Sequence, residues 1–174
     1  EVIENLARSG VASQSSEYDV AFPAALGNDG NYNGFTHTAV GNNGLGPATW
    51  EVDLLSEQTI GRIVLHNRAD CCGSRLRDIT VSVLDSDGEV AFESALLNPE
   101  NVLGGGGTGG PAELTVDLIA VAGGAVEGRY VQVGRTGDPD LSGTGGQGGA
   151  DEMNILSLGE VEVFESGSAY GDLV

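Results

Sequence analysis

Two guanidinium groups, one carboxylate and two adjacent thiols fall within eight residues of this chain, in the run Arg68-Ala69-Asp70-Cys71-Cys72-Gly73-Ser74-Arg75. Neighbouring Cα atoms across a trans peptide lie about 3.8 Å apart, whereas disulfides ordinarily prefer roughly 4.4–6.8 Å. A bridge between Cys71 and Cys72 is therefore a tight ring in strained backbone. It closes almost no loop, so chain entropy gives it little stabilising power. Its value lies in shape: a small, rigid, apolar knob with an arginine on either side. An arginine fork presents paired donors to adjacent oxygens, and neighbouring hydroxyls on a sugar ring are such a target. The run reads as a platform for a sugar.

These groups need a frame. Side chains two apart on an extended chain share a face, so Val64, His66 and Arg68 fall on one side, with Ile63, Leu65 and Asn67 on the other. Arg68 then stands where a strand gives way to the Cys-Cys loop, and Arg75 returns near the start of the next strand. The two forks converge, with Asp70 placed to orient either one. His66 is read as structural.

Apolar and polar residues alternate through 79–83, 114–118, 130–133 and 161–163, and 50–54 and 60–65 add two further strand candidates. Turn signals such as Asn28-Asp29-Gly30-Asn31 and Asp85-Ser86-Asp87-Gly88 separate them. No window of a dozen residues carries a helical stripe. Short strands with glycine-rich connections predict an all-β sandwich. Residues 1–165 form one domain, and 166–174 read as a tail or the start of a linker.

The chain has 174 residues, of which 26 are acidic and 7 basic, for a net charge of −19. All seven cations are arginine, and three of them lie between positions 68 and 77. Such a surface repels nucleic acid and anionic lipid, which sets both aside as partners. No stretch approaches the roughly 20 apolar residues that a membrane span requires. The chain opens at Glu1 without a signal peptide, as a mature form or a segment of something larger would. Two glycine-rich segments, 104–110 and 143–149, are not followed by Lys-Ser or Lys-Thr, which excludes a phosphate-cradling loop. Both are expected to be flexible surface loops.

His37, then Arg68-x-Asp70, then Arg75, resembles the signature of the F-type lectins, a family of fucose-binding lectins. The likeness runs in order from about Asn5 to Phe164. It takes in Ala12-Ser13-Gln14-Ser15-Ser16, Asp29-Gly30-Asn31, Thr36-His37-Thr38, Trp50-Glu51-Val52-Asp53-Leu54 and Asn67-Arg68-Ala69-Asp70-Cys71-Cys72. Gly128-Arg129-Tyr130-Val131 and Gly159-Glu160-Val161-Glu162-Val163 match the last two strands. The resemblance implies an eight-stranded β-sandwich jelly roll of the galactose-binding, discoidin-like type, with the sugar pocket in loops at one end. It implies that His37, Arg68 and Arg75 hydrogen-bond L-fucose while the linked Cys71 and Cys72 pack on its ring, beside Asp70. Phe35 and Tyr18 are the candidates for a niche around the sugar's methyl group.

The resemblance also implies a calcium ion. By the family's pattern it is held by the side chains of Asp29 and Glu160 with carbonyls of Leu26, Asn31 and Gly159. The family's serine ligand corresponds to Gly34 here, which leaves only a carbonyl. A run of glycine and asparagine at 41–46 lengthens the chain between His37 and Arg68. Fucosylated glycans are the expected partners, with avidity from several copies or a larger host protein. An oxidised cysteine pair implies a secreted, periplasmic or cell-surface location. Two alternatives stand beside this reading. One is a discoidin-like domain for galactose, another glycan or phospholipid. The other is a glycan-processing enzyme, although Asp70 alone does not supply the carboxylate pair of a glycosidase.

Overall fold

The structure, a computed structural model, describes residues 4–137 and 154–166. The second glycine-rich segment and the tail beyond 166 lie outside the described residues. Among the described residues there are seven antiparallel strands: β1 (Val11–Gln14), β2 (Ala48–Asn67), β3 (Ile79–Leu84), β4 (Val90–Glu93), β5 (Glu113–Asp117), β6 (Val126–Arg135) and β7 (Leu158–Glu165). Among the described residues no helix is long and apolar enough to cross a membrane.

The two strand candidates at 50–54 and 60–65 are a single 20-residue strand with a break inside it. Its first part pairs with β1 and β6, and its last part pairs with β5 and β7. Between Asp53 and Gln58 the register shifts, and Leu55 takes a positive φ of 72°. Inward residues are even-numbered as far as Ile60 (Trp50, Val52, Ile60) and odd-numbered beyond it (Ile63, Leu65). The parity reverses at a second register shift, against β7 between Ile60 and Arg62, because an extra residue in a strand reverses which face its side chains meet. β2 therefore belongs to both layers. Counted as two, its halves complete the eight strands of the expected jelly roll.

One layer runs β1-β2-β6-β3-β4, and the other places β2 between β5 and β7. Trp50, Leu65, Val81, Val133 and Val161 are fully buried in one cluster that joins both layers. Periodicity missed β4 because all of its residues but Phe92 are exposed, so neither face needs to be apolar. The end of β2 meets the starts of β5 and β7, since His66 lies opposite Glu113 and Asn67 opposite Leu158. The loop that follows Asn67 leads to the start of β3, and the candidate residues collect at this end.

Candidate functional site

His37 is held by a short ladder. Thr36 and Thr38 donate their amides to the carbonyls of Leu158 and Leu156, and their hydroxyls accept the Leu158 and Leu156 amides in return. Each threonine closes two hydrogen bonds, so the histidine between them cannot shift along the chain. The His37 ring is buried and faces Tyr18 at 4.5 Å between centroids. Its Nδ1 lies 2.7 Å from the Thr38 carbonyl, an acceptor only, so Nδ1 carries the proton and donates. That leaves Nε2 as an acceptor, and the Nη1 of Arg75 donates to it at 3.2 Å.

Arg75 is 9% exposed and ends the turn Gly73–Arg75; its Nη1 also lies 3.4 Å from the Ser157 hydroxyl. The turn is entered through Cys72, whose φ of 63° is left-handed. Cys71 and Cys72 are joined to one another, with Cα atoms 3.8 Å apart, and among the described residues no free cysteine remains. Asn67 braces the start of this loop. Its Nδ2 donates to the carbonyls of Gly73 and Pro111, both at 2.9 Å, and its Oδ1 accepts the Arg68 amide.

Arg68 lies over Phe35, with the guanidinium carbon 3.6 Å from the ring centre. Asp70 grips its Nε and Nη2 at 2.6 and 3.2 Å. Those bonds from Arg68 hold the Asp70 carboxyl below its ordinary range. Asp70 thus orients Arg68; Arg75 is oriented by His37 and Ser157. Behind Phe35 stacks Phe22, at 4.9 Å and 17° between planes, which also sits 5.8 Å from His37 and 6.3 Å from Tyr18. Tyr18 is exposed. Two arginines, a histidine and three aromatic rings thus form one contact series. Sequence reasoning missed Phe22 and Ser157. Phe22 carried a faint signal as one of only nine aromatic residues, four positions from Tyr18. Ser157 carried none.

His66 stands apart from this series. Its Nε2 bonds Glu162 and its Nδ1 lies 3.7 Å from Glu113, consistent with a structural role.

The expected calcium ligands divide into two groups. In the first turn, Asn31 donates its amide to Asp29 at 2.8 Å, and Gly34 donates its amide to the Asn31 carbonyl at 3.2 Å. Leu26 lies in the preceding turn Ala24–Gly27, anchored where Trp50 donates its indole N–H to Ala24 at 2.9 Å. In the second group, Gly159 and Glu160 sit side by side in β7. Glu160 is 0% exposed, and neither of its carboxyl oxygens closes a hydrogen bond. Burial pushes this carboxyl up to about 7; the Asp29 charge adds to the rise, while the Gly30 amide, which faces it without completing a bond, opposes it. A buried carboxylate without partners, beside a second acid, is an arrangement that a hard cation would stabilise. Among the described residues no group of three or more His, Cys, Asp or Glu side chains is placed to hold a metal. The remaining ligands would then be carbonyl oxygens, which calcium accepts.

A family profile described as "NedA-like, galactose-binding domain" matches residues 26–133. The chain is 33% identical to Fucolectin of Anguilla anguilla over 113 residues, 61% of this chain and 69% of that protein. It is 34% identical to Fucolectin-6 of Anguilla japonica over 107 residues, 56% of this chain and 52% of that protein. The chain thus spans about half the length of Fucolectin-6. Among solved structures, the lectin domain of lectinolysin complexed with Lewis b antigen superimposes with a TM-score of 0.68 and 30% identity, covering 94% of this chain and 97% of that one.

Proposed function

The chain belongs to the fucolectin family of galactose-binding-like domains, and from that premise we propose that it binds terminal L-fucose on glycans, without catalysis and with calcium as a structural support. The observation that carries this reading is the buried Arg75–His37 pair beside Arg68, Phe35 and the cysteine ridge. Arg68 spends Nε and Nη2 on Asp70, and its Nη1 edge offers donors to adjacent sugar oxygens. The apolar rings of Phe22 and Tyr18, with the edge of Phe35, suit the methyl group that distinguishes a 6-deoxyhexose. The likeness to fucolectins and to a lectin domain complexed with Lewis b antigen supports the same ligand class.

The residues also fit calcium. Glu160 and Asp29 would hold the ion, with carbonyls of Leu26, Asn31, Gly34 and Gly159 completing its shell, and the ion would supply charge balance and loop order. Because Glu160 follows Leu158 and Gly159, the same strand start that pairs with Thr36 carries the buried carboxylate. Order at the metal turn and order at His37 are then linked through β7. The partners would be fucosylated glycans, and the setting an oxidising one: secreted, periplasmic or cell-surface.

Calorimetric titration with methyl α-L-fucoside tests the ligand, and a glycan array tests the class. Saturable fucoside binding with array signals confined to fucosylated glycans is the expected result. Signals only on glycans without fucose would overturn it and favour the broader discoidin-like reading.

A further inference from the structure

The sandwich is open along the side where both of its layers end. Among the described residues β4 is the last strand of one layer, while β5 pairs with β2 alone and ends the other. A cavity of about 230 Å³ lies between these two edges, lined by Phe92, Leu97, Val116 and Val121 together with Thr115 and Glu93. Phe92 and Leu97 pack on the core, whereas Val121 is 64% exposed, so the cavity leads from the surface down to the core. Exposed Val90, Leu96 and Ile119 each stand within two residues of this lining. Apolar side chains gathered at the surface in this way mark an interaction site.

The edge of β4 offers its backbone as well. Ser94 donates its amide to the Val81 carbonyl at 2.9 Å. Bonding alternates along an antiparallel pair, so Glu93, the preceding residue, turns its N–H and C=O away from β3 and past the end of the layer. An unpaired strand edge of this kind takes up a further strand. A residue laid opposite Glu93 would exchange both backbone bonds with it and share its outer face. The residues on either side of that one would point inward, as Phe92 does, toward the cavity. The cavity is smaller than the roughly 300–1,000 Å³ of sites that enclose whole small ligands, and it suits one apolar side chain. Among the described residues of the lining Glu93 alone is charged, and Glu89 stands exposed four positions before it. Like charges directly opposite across a strand pair destabilise it, and opposite charges support it. A second copy of this chain, with a net charge of −19, would set carboxylates against carboxylates. The complement of this edge is a cation.

We propose that this open side docks an extended segment of another protein: the segment joins the edge of β4, its lysine or arginine pairs with Glu93, and an apolar side chain next to that cation fills the cavity. The docking site shares no residue with the cluster of His37, Arg68 and Arg75 or with the expected calcium ligands. It therefore stands or falls apart from the fucose reading.

An array of capped heptapeptides tests this. The central residue is Val, Leu, Ile, Phe, Tyr or Ser, and its neighbours are Arg, Lys, Ser or Glu in every combination. Peptides that bind are titrated by fluorescence anisotropy at low and high salt against the wild type, Glu93→Lys, Glu93→Gln and Val121→Ser. Melting temperatures are recorded for all four proteins, and their oligomeric state is read by sedimentation. Binding should be confined to peptides with a basic residue beside a central apolar one, and it should weaken as salt rises. Glu93→Lys should weaken those peptides by about tenfold or more and shift binding to the glutamate-flanked ones. Glu93→Gln, which removes only the charge, should fall between. Val121→Ser should weaken every bound peptide several-fold. Glu93 and Val121 are both exposed, so all three variants should melt close to the wild type. Absence of binding by every peptide, binding indifferent to the flanking charge or to Glu93→Lys, or equal binding of peptides with central Ser would each overturn the proposal. A wild-type dimer that Glu93→Lys disrupts would assign this edge to a second copy and overturn it too.

Discussion

Arg75 Nη1 donates to His37 Nε2 at 3.2 Å, and the direction of that bond is fixed by the Thr38 carbonyl on the far side of the ring. A histidine that must donate from Nδ1 has one acceptor left, and an arginine fills it. The pair is set before any ligand arrives: the imidazole and the Ser157 hydroxyl hold one edge of the Arg75 guanidinium.

On the proposed function Arg75 is a binding residue with a structural share. Arg75→Lys keeps the charge and loses the planar fork. We expect it to fold, and to lose fucoside affinity by roughly 30-fold or more, equivalent to about 2 kcal/mol. Arg75→Ala additionally strands His37 and Ser157 in a buried place, at about 1–3 kcal/mol, or roughly 2–10 °C in a domain of this size. Calorimetry and thermal melts on the two variants check this. Undiminished affinity in Arg75→Lys would remove Arg75 from the site.

Reduction separates shape from stability. The Cys71–Cys72 bond encloses no intervening residue, so its loss should shift the melting temperature by no more than about 2 °C. The fucoside affinity should fall several-fold because the ridge beside Arg68 is gone. A titration with and without reductant, repeated on the Cys71→Ser, Cys72→Ser double variant, tests both halves. A large stability loss with intact affinity would reverse the assignment.

Calcium removal should destabilise the wild type and spare a variant without the buried carboxylate. An ion at a hundredfold excess over its dissociation constant adds about 2.7 kcal/mol, or roughly 5–10 °C here. EDTA should remove that increment. Glu160→Gln, which needs no cation beside it, should melt at one temperature with or without EDTA. An EDTA response that persists in Glu160→Gln would place the ion elsewhere.

Asn67 ties two loops through one amide, so Asn67→Ala breaks bonds to Gly73 and Pro111 and the acceptor for Arg68 at once. At about 1 kcal/mol per lost bond, the domain should lose roughly 2–3 kcal/mol, read by urea denaturation. Asn67→Asp restores the acceptor alone and should recover only part of that loss.

Much of this was legible in the chain itself. Alternation at Trp50–Leu54, Ile79–Val83 and Leu114–Leu118 marks strands because one face of each is buried and the other is not. The adjacent cysteines, His37 and the arginine spacing mark the site because each is a rare type in a chain with 7 cations, 2 histidines and 2 cysteines. The continuity of β2 was hidden, since an exposed stretch follows Leu54 and the parity of its apolar residues reverses between Ile60 and Arg62, which together mimic two elements. Ser157 meets Arg75, and Phe22 meets Phe35 and His37, only through space, from segments whose local sequence has no need of them. The first glycine-rich segment, expected to be a flexible loop, is fastened instead. Asn101, buried in a left-handed turn, donates its Nδ2 to the carbonyls of Gly107 and Gly109, and a run of glycines gives no hint of what lies beneath it.

The long strand β2 has a mechanical meaning. Arg68 follows Asn67, its last residue, so tension on a captured glycan enters the fold at that tip and runs along the strand. There β5 and β7 flank it, and further on β1 and β6 do the same, all through hydrogen bonds perpendicular to the pull. Such bonds must shear together instead of unzipping singly. A cell or particle tethered through a bound glycan would be tugging on a strand that both layers share.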